Sequence, residues 1–278
     1  MSQLAQKKCA KFLREGSKFD PDKVEAAVRM MLEGFGEDIN REGLKDTPAR
    51  VAGFWAELLE GAQYTNEEIA ERFQKDFEVS YNPLVVIECP NIYSSCEHHT
   101  VLMKGTVYVA YVPPAIKKYL TDEEVKKLPA EAIENLEYAS SYLYDELDGF
   151  KLHNNKISLD PYKIGHIYKD KDGVFTVTGY KVIGLSKIPR IVDLCAKRLQ
   201  LQEKLAVDIA ECISKAIGTD LIYINTTFSH GCVSARGIRS QGITNATYVT
   251  SNLRTDAWMD TRLEIERKVS QLQATHEK

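Results

Sequence analysis

The sequence predicts an α+β fold, and three observations carry that prediction. Apolar residues recur at helical spacing through the first third of the chain, β-rich runs follow, and a strongly amphipathic stretch separates the last two of those runs. The order is helices, strands, a long helical stretch, a strand and a C-terminal helix. That is not the regular alternation of a doubly wound parallel sheet.

The chain has 278 residues, 44% hydrophobic and 27% charged, enough for a substantial core and too apolar for disorder along most of its length. A net charge of −4 excludes a general nucleic-acid binder, so an anionic ligand would need a local cationic pocket. No apolar run reaches the roughly 18–20 residues of a membrane span. The polar start MSQLAQKKCAKFLREGSK has no apolar centre of the kind a secretory signal carries. The expectation is a cytoplasmic protein without a membrane partner, whose six cysteines stay reduced.

Taken in order, Asp20-Pro21 offers an N-cap with proline at the first helical position, and Val24, Ala27, Val28, Met31, Leu32 and Phe35 form an apolar stripe that Gly34 and Gly36 end. Thr47-Pro48 starts a second helix through Val51, Phe54, Trp55, Leu58 and Leu59, stopped by Gly61. Strands are expected at 83–88, 105–113, 173–185 and 221–228, where β-branched and aromatic residues concentrate. Between the last two, Ile191, Leu194, Cys195, Leu205, Ile209, Ile213 and Ile217 read as one strong helix with Pro189 near its start and Gly218 as C-cap. A final helix is expected near 261–273.

Residues 115–178 look foreign to this plan. They are rich in Lys, Glu and Tyr, with a capping-box start at Thr121, a second helix opened by Pro129, and turn-prone LHNNK and YKDKDG. They read as a surface insertion, with a lid or subunit contact as the alternative.

Four cysteines, Cys9, Cys89, Cys195 and Cys212, read as small buried hydrophobes; Cys96 and Cys232 do not, because histidines stand beside them. In Cys96-Glu97-His98-His99 one tight turn can point Cys96 and His99 at a single centre, and thiolate with imidazole suits Zn²⁺. His230 and Cys232, two apart after a strand-like run, can face the same pocket. Three ligands would leave a position open for water, whose pKa a metal lowers toward about 7. A closed site, with His98 or His230 as fourth ligand, is the alternative.

Ser186, Lys187 and Arg190 sit where the long helix begins, and its free N–H groups and dipole favour an anion there. Arg236 and Arg239, just past Cys232, could add positive charge. Further along, Gln202-Glu203 brings a carboxylate that can accept two N–H donors in a bidentate contact. Taken alone, the helix start is equally compatible with an ordinary capped helix, and Arg236, Arg239 and Glu203 each read more readily as solvated surface residues.

Together the runs YSSCEHH (93–99), GTVYVAYVP (105–113), VIGLSKIPRIVDLCAKRLQLQEKLAVDIA (182–210) and HGCVSARGIR (230–239) resemble GTP cyclohydrolase I, and 36–61 is similar to the helical N-terminal part of that family. The resemblance implies hydrolytic opening of the guanine imidazole ring of GTP, release of C8 as formate, and rearrangement to 7,8-dihydroneopterin triphosphate, a step of pterin and tetrahydrofolate biosynthesis. It implies Cys96, His99 and Cys232 as zinc ligands and His98 and His230 as acid/base histidines. Arg50, Ser186, Lys187, Arg190 and Arg236 would contact the triphosphate, and Gln202 with Glu203 would read ribose and base, Glu203 anchoring guanine. The implied fold is the tunnelling fold: N-terminal helices at 1–80, then a catalytic domain at 81–278 with an antiparallel sheet and a long helix pair. Sheets of several subunits would close an oligomeric barrel, here a decamer of stacked pentamers.

The sequence departs from the family pattern in places. Gly53 stands where members commonly carry a phosphate-binding lysine, which implies weaker GTP binding resting on Arg50 alone. Thr100-Val101-Leu102-Met103 replaces an apolar Leu-Leu-Pro-Phe, and the stretch after Arg239 lacks the usual Thr-rich run, so it is expected to pack differently. A non-catalytic zinc-binding ring needs none of the spare histidines, and a deazaguanine nitrile reductase lacks this ligand set. A relative stopping at the formamidopyrimidine would keep the same pocket.

Overall fold

The computed structural model describes residues 3–79, 84–126, 166–169, 174–250 and 256–275. The helix expected from Pro129 and the LHNNK turn lie outside them.

Three helices open the chain: α1 (Gln3–Cys9), α2 (Pro21–Gly34) and α3 (Thr47–Leu58). Asp20 caps α2 through its carboxylate, which accepts from the N–H groups of Asp22 and Lys23. Small residues let α1 and α3 approach closely, with Ala5 and Cys9 in one cluster with Ala49, Ala52 and Ala56. The α2 stripe is used only in part. Val28 is buried, but Met31 and Phe35 stay largely exposed, because α3 and α1 cover just one edge of the stripe.

After a 3₁₀ turn at Glu60–Gln63 comes α4 (Asn66–Phe73), started by a complete capping box between Thr65 and Glu68. The strands are β1 (Asp76–Val79), β2 (Val85–Cys96), β3 (Leu102–Tyr111), β4 (Ala115–Tyr119), β5 (His166–Lys169) and β6 (Phe175–Ile183), with the short α5 (Asp122–Val125) after β4. The expected single helix after β6 is two: α6 (Lys187–Ala196) and α7 (Gln202–Ile217). Between them Leu199–Gln200 forms a two-residue strand, β7. Then follow β8 (Ile222–His230), one helical turn α8 (Gly231–Ser234), β9 (Ile243–Val249) and α9 (Asp256–Thr275).

Two sheets result. The larger runs β7-β2-β3-β8-β9, antiparallel except for the parallel β2–β7 pair, and β6 gathers β1, β4 and β5 into the smaller one. Tyr111 Oη accepts from the Ile183 N–H at 3.1 Å, tying the two sheets together.

The large sheet follows the period of two. Val107, Val109, Ile222 and Ile224 join Ile69, Ile191, Leu205, Ile209 and Ile213 in the main core, while Tyr108, Ala110 and Tyr223 face Ile265 and Val269 of α9. Helices α4, α6 and α7 therefore cover one face of the sheet and α9 the other. Gly218, in the left-handed region at φ +75°, ends α7 as expected. The stretch after Arg239 supplies the outer strand β9, whose Ile243 is exposed. No helix of the described residues is long and apolar enough to cross a membrane.

Candidate metal centre and active site

Cys96 is the last residue of β2, and the CEHHT turn that follows closes the β2–β3 hairpin. The Cys96 N–H donates to Val101 O at 3.0 Å, the Thr100 N–H donates to Cys96 O at 2.8 Å, and Thr100 adopts φ +52° to make the turn. Strand β7 lies along its other side, pairing Gln200 with Cys96, and the Glu97 N–H donates to Gln200 O. Cys232 reaches the same place differently from the expectation. The strand ends at His230, so Cys232 is on the helical turn α8 and does not share a strand face with His230. Gly231 permits this approach: a Cβ there would lie 2.8 Å from the carbonyl oxygen of Leu102.

The outcome is that the ligand atoms of Cys96, His99 and Cys232 lie within 4.8 Å of one another. With Zn–S bonds near 2.3 Å and Zn–N near 2.0–2.1 Å, the edges of a tetrahedron are about 3.4–3.8 Å, so small side-chain adjustments suffice to close the trio on one ion. The donor set fits a borderline-soft cation. Burial, and then the neighbouring Cys96 thiol, push the Cys232 thiol up, so a cation beside it would offset the cost of its thiolate. The Arg236 guanidinium donates to His99 Nε2 and so takes the one lone pair of the neutral imidazole; a metal held by His99 requires Arg236 to move off the ring. Neither His98 nor His230 belongs to this group of ligand atoms; His98 Nδ1 sits 3.9 Å from Cys96 Sγ.

The other four cysteines are buried and free. Burial, with Glu88 nearby, pushes Cys89 up to about 12, as expected of a packing residue.

His230 is half-buried at the end of β8, its Nε2 2.7 Å from Gln202 Oε1. Burial pushes its pKa down and the Glu203 carboxylate partly opposes this. Gln202 is the first residue of α7 and is buried, whereas Glu203 is exposed. Ser186 stands at the N-cap of α6 with no side-chain capping bond, exposed like Arg190, and Lys187 is half-buried. Helix α6 packs on β2, the strand that ends in Cys96. Arg50 lies on α3 and pairs with Asp46 at 3.3 Å, both groups exposed. At Gly53 a Cβ would lie 2.8 Å from Lys8 Cβ, so α1 occupies the space into which a longer side chain would start.

Sequence reasoning missed the polar network behind the site. Arg198 pairs with Asp208 at 3.1 Å and donates to Asn66 Oδ1, Gly61 O and Tyr64 O, while Gln200 Nε2 donates to Asp208 Oδ2 at 2.8 Å. These bonds break the helix after Ala196 and lay β7 beside Cys96. The only local signal is the switch to a period of two in Leu199-Gln200-Leu201-Gln202.

The family model described as GTP cyclohydrolase I matches residues 24–120 and 173–268. The chain is 31% identical over 246 residues to a protein of Clostridium beijerinckii named GTP cyclohydrolase 1, covering 86% of this chain and 92% of that one. A protein of the same name from Mycobacterium ulcerans is 31% identical over 240 residues, covering 86% of each chain. One from Ruminiclostridium cellulolyticum is 32% identical over 252 residues, covering 88% and 96%. With more than half of its length matched by the family model and nearly all of those relatives spanned, the chain belongs to the GTP cyclohydrolase I family.

Proposed function

We propose that the protein hydrolyses GTP to formate and 7,8-dihydroneopterin triphosphate, with Zn²⁺ held by Cys96, His99 and Cys232. The single observation that carries this reading is the convergence of those three ligand atoms from segments more than a hundred residues apart, with His230 two residues before Cys232. When bound, zinc supplies Lewis acidity and lowers the pKa of a coordinated water toward about 7.

The chain's own residues do the rest. Glu203 accepts the N1–H and exocyclic amine of guanine and so orients the five-membered ring. His230 delivers a proton to N7, which makes C8 electrophilic, and His98 takes up and returns protons as the C8–N9 bond breaks. Ser186 at the start of α6 donates to the triphosphate through its hydroxyl, and Lys187, Arg190, Arg236 and Arg50 offset its charge. Two waters are consumed, one opening C8–N9 and one freeing formate, and one is expelled when the new ring closes.

In the same reading the protein is a cytoplasmic homo-oligomer, a decamer of stacked pentamers, in which the outer strand β9 pairs with a neighbour and closes a barrel. Such closure would cover a sheet edge that carries the exposed Ile243. Residues 1–80 form the helical region and 81–278 the tunnelling-fold domain, the insertion at 115–178 thickening a subunit contact or gating GTP entry. The test is incubation of the metal-loaded protein with GTP, following formate and the oxidised fluorescent pterin together. Both products are expected in equal amounts; formate without pterin makes the enzyme one that stops at the formamidopyrimidine, and neither product overturns the reading.

A further inference from the structure

Gln202 has no side-chain N–H left for a ligand. Its Nε2 is surrounded by Thr226 O at 2.9 Å, Thr244 O at 3.0 Å and Thr226 Oγ1 at 3.1 Å. The first two are carbonyl oxygens and only accept. The Thr226 hydroxyl spends its proton on Ala246 O at 3.2 Å, so it too accepts from Gln202. Three acceptors around one atom fix the amide: the nitrogen faces the threonines, and Oε1 must face His230. Turning the amide over would set its oxygen against two carbonyls in a site only 3% exposed.

The consequence passes to the imidazole. Gln202 Oε1 is an acceptor 2.7 Å from His230 Nε2, so Nε2 carries a hydrogen. A neutral His230 is then the Nε2–H tautomer, with Nδ1 holding the lone pair. We infer that Gln202 is a positioning residue for His230: it fixes the tautomer and ring orientation and leaves Nδ1 as the nitrogen that exchanges protons. The anchor is shared by three elements, since the amide belongs to the first residue of α7, Thr226 to β8 and Thr244 to β9. Any movement of β9 relative to β8 therefore reaches the imidazole through one side chain. This inference rests on the functional reading above for the word positioning, but the tautomer itself does not.

The experiment uses the full-length, metal-loaded protein. Gln202→Met keeps the volume and removes the acceptor. For loss of a supporting partner of this kind, kcat with GTP is expected to fall about 10–100-fold while KM stays within about twofold. In ¹⁵N spectra of histidine-labelled protein, the parent is expected to show neutral His230 as one tautomer protonated at Nε2, and the Met variant a mixture. Should Gln202→Met not fold, Gln202→Asn breaks the same bond with a shorter amide. A rise in KM with kcat unchanged would make Gln202 a substrate contact and overturn the inference, as would an unchanged tautomer in the Met or Asn variant. A parent protein that releases no formate would sink the functional reading and leave the tautomer measurement standing.

Discussion

In the N-terminal layer the contacts are between small apolar side chains, Ala5 and Cys9 of α1 among Ala49, Ala52 and Ala56 of α3, with Phe12, Leu13, Phe19 and Val24 around them. At the rim of the large sheet, where Cys96 and Cys232 meet, the buried contacts are polar: Arg198 with Asp208, Gln200 with Asp208, Gln202 with His230 and the threonines. The first region is non-directional and tolerates sliding. The second is directional, so each bond defines where a backbone segment must lie. The difference teaches where precision is needed: the trio of ligands has to converge within a few ångströms, and apolar packing alone does not set such distances.

Removing a ligand is the strongest way to break this comparison. Cys232→Ala is expected to weaken metal retention by more than about 100-fold, beyond what loss of a mere supporting partner costs. Formate release from GTP should disappear with it. Metal content after dialysis checks this, and Ala52→Ser in the N-terminal layer should leave metal content unchanged. A Cys232→Ala protein that kept one metal per chain would show that the trio is not the site.

Next in size is the network behind the rim. Asp208→Ala strands a nearly buried Arg198, and breaking such a pair costs about 3–5 kcal/mol. Denaturant unfolding measures it. The same carboxylate sets an acid limit. Burial acts to raise the Asp208 pKa, but the bonds from Lys204, Gln200 and Asn66 outweigh it and hold the group below its ordinary 3.8. A pKa lowered in the folded state stabilises fully above the ordinary value, and that stability is lost as pH falls through the folded value. Stability should therefore drop as pH falls below about 4, and Asp208→Asn should flatten that limb of the curve.

These two regions also differ in how much of them could be read beforehand. The start of α2, the start of α3 and the alternation along β3 and β8 follow from residues close in sequence, such as Asp20-Pro21, Thr47-Pro48 and Val107 to Tyr111. Cys96, His99 and Cys232 were legible because their residue types are rare together. The break after Ala196 was not, because no glycine or proline marks it: it is made by Arg198 reaching Asn66, 132 residues away in sequence. The arrival of Cys232 on a helical turn was hidden for the same reason, since the approach that Gly231 permits is to Leu102, on another strand.

The N-terminal layer answers to a smaller perturbation. Gly53→Ala puts a Cβ 2.8 Å from Lys8 Cβ, and overpacking of this sort costs about 1–3 kcal/mol. Loosening of α1, read by hydrogen exchange over residues 3–9, should accompany it with no change in metal content. Gly53→Lys would carry the same clash, so a change in KM for GTP in that variant would report displacement of α1 as well as any new phosphate contact. Comparing it with Gly53→Ala separates the two: a KM gain confined to the lysine variant belongs to its ammonium group.

The smallest expected effect falls on the helix that joins the two regions. Thr65 Oγ1 accepts from the Glu68 N–H at 3.2 Å and Glu68 Oε2 accepts from the Thr65 N–H at 2.9 Å, which fixes the first turn of α4. That turn carries Asn66, whose amide bonds Arg198, Asp208 and Glu211. Thr65→Ala removes one cap and is expected to cost about 1 kcal/mol, the usual value for an N-cap. Were the cap only local, the loss would add to that of Asp208→Ala in the double variant. Because Asn66 ties the capped turn to Asp208, the two losses should instead overlap, with the double variant less destabilised than their sum. Strict additivity would place α4 with the N-terminal layer, held by the burial of Ile69 and Phe73 alone.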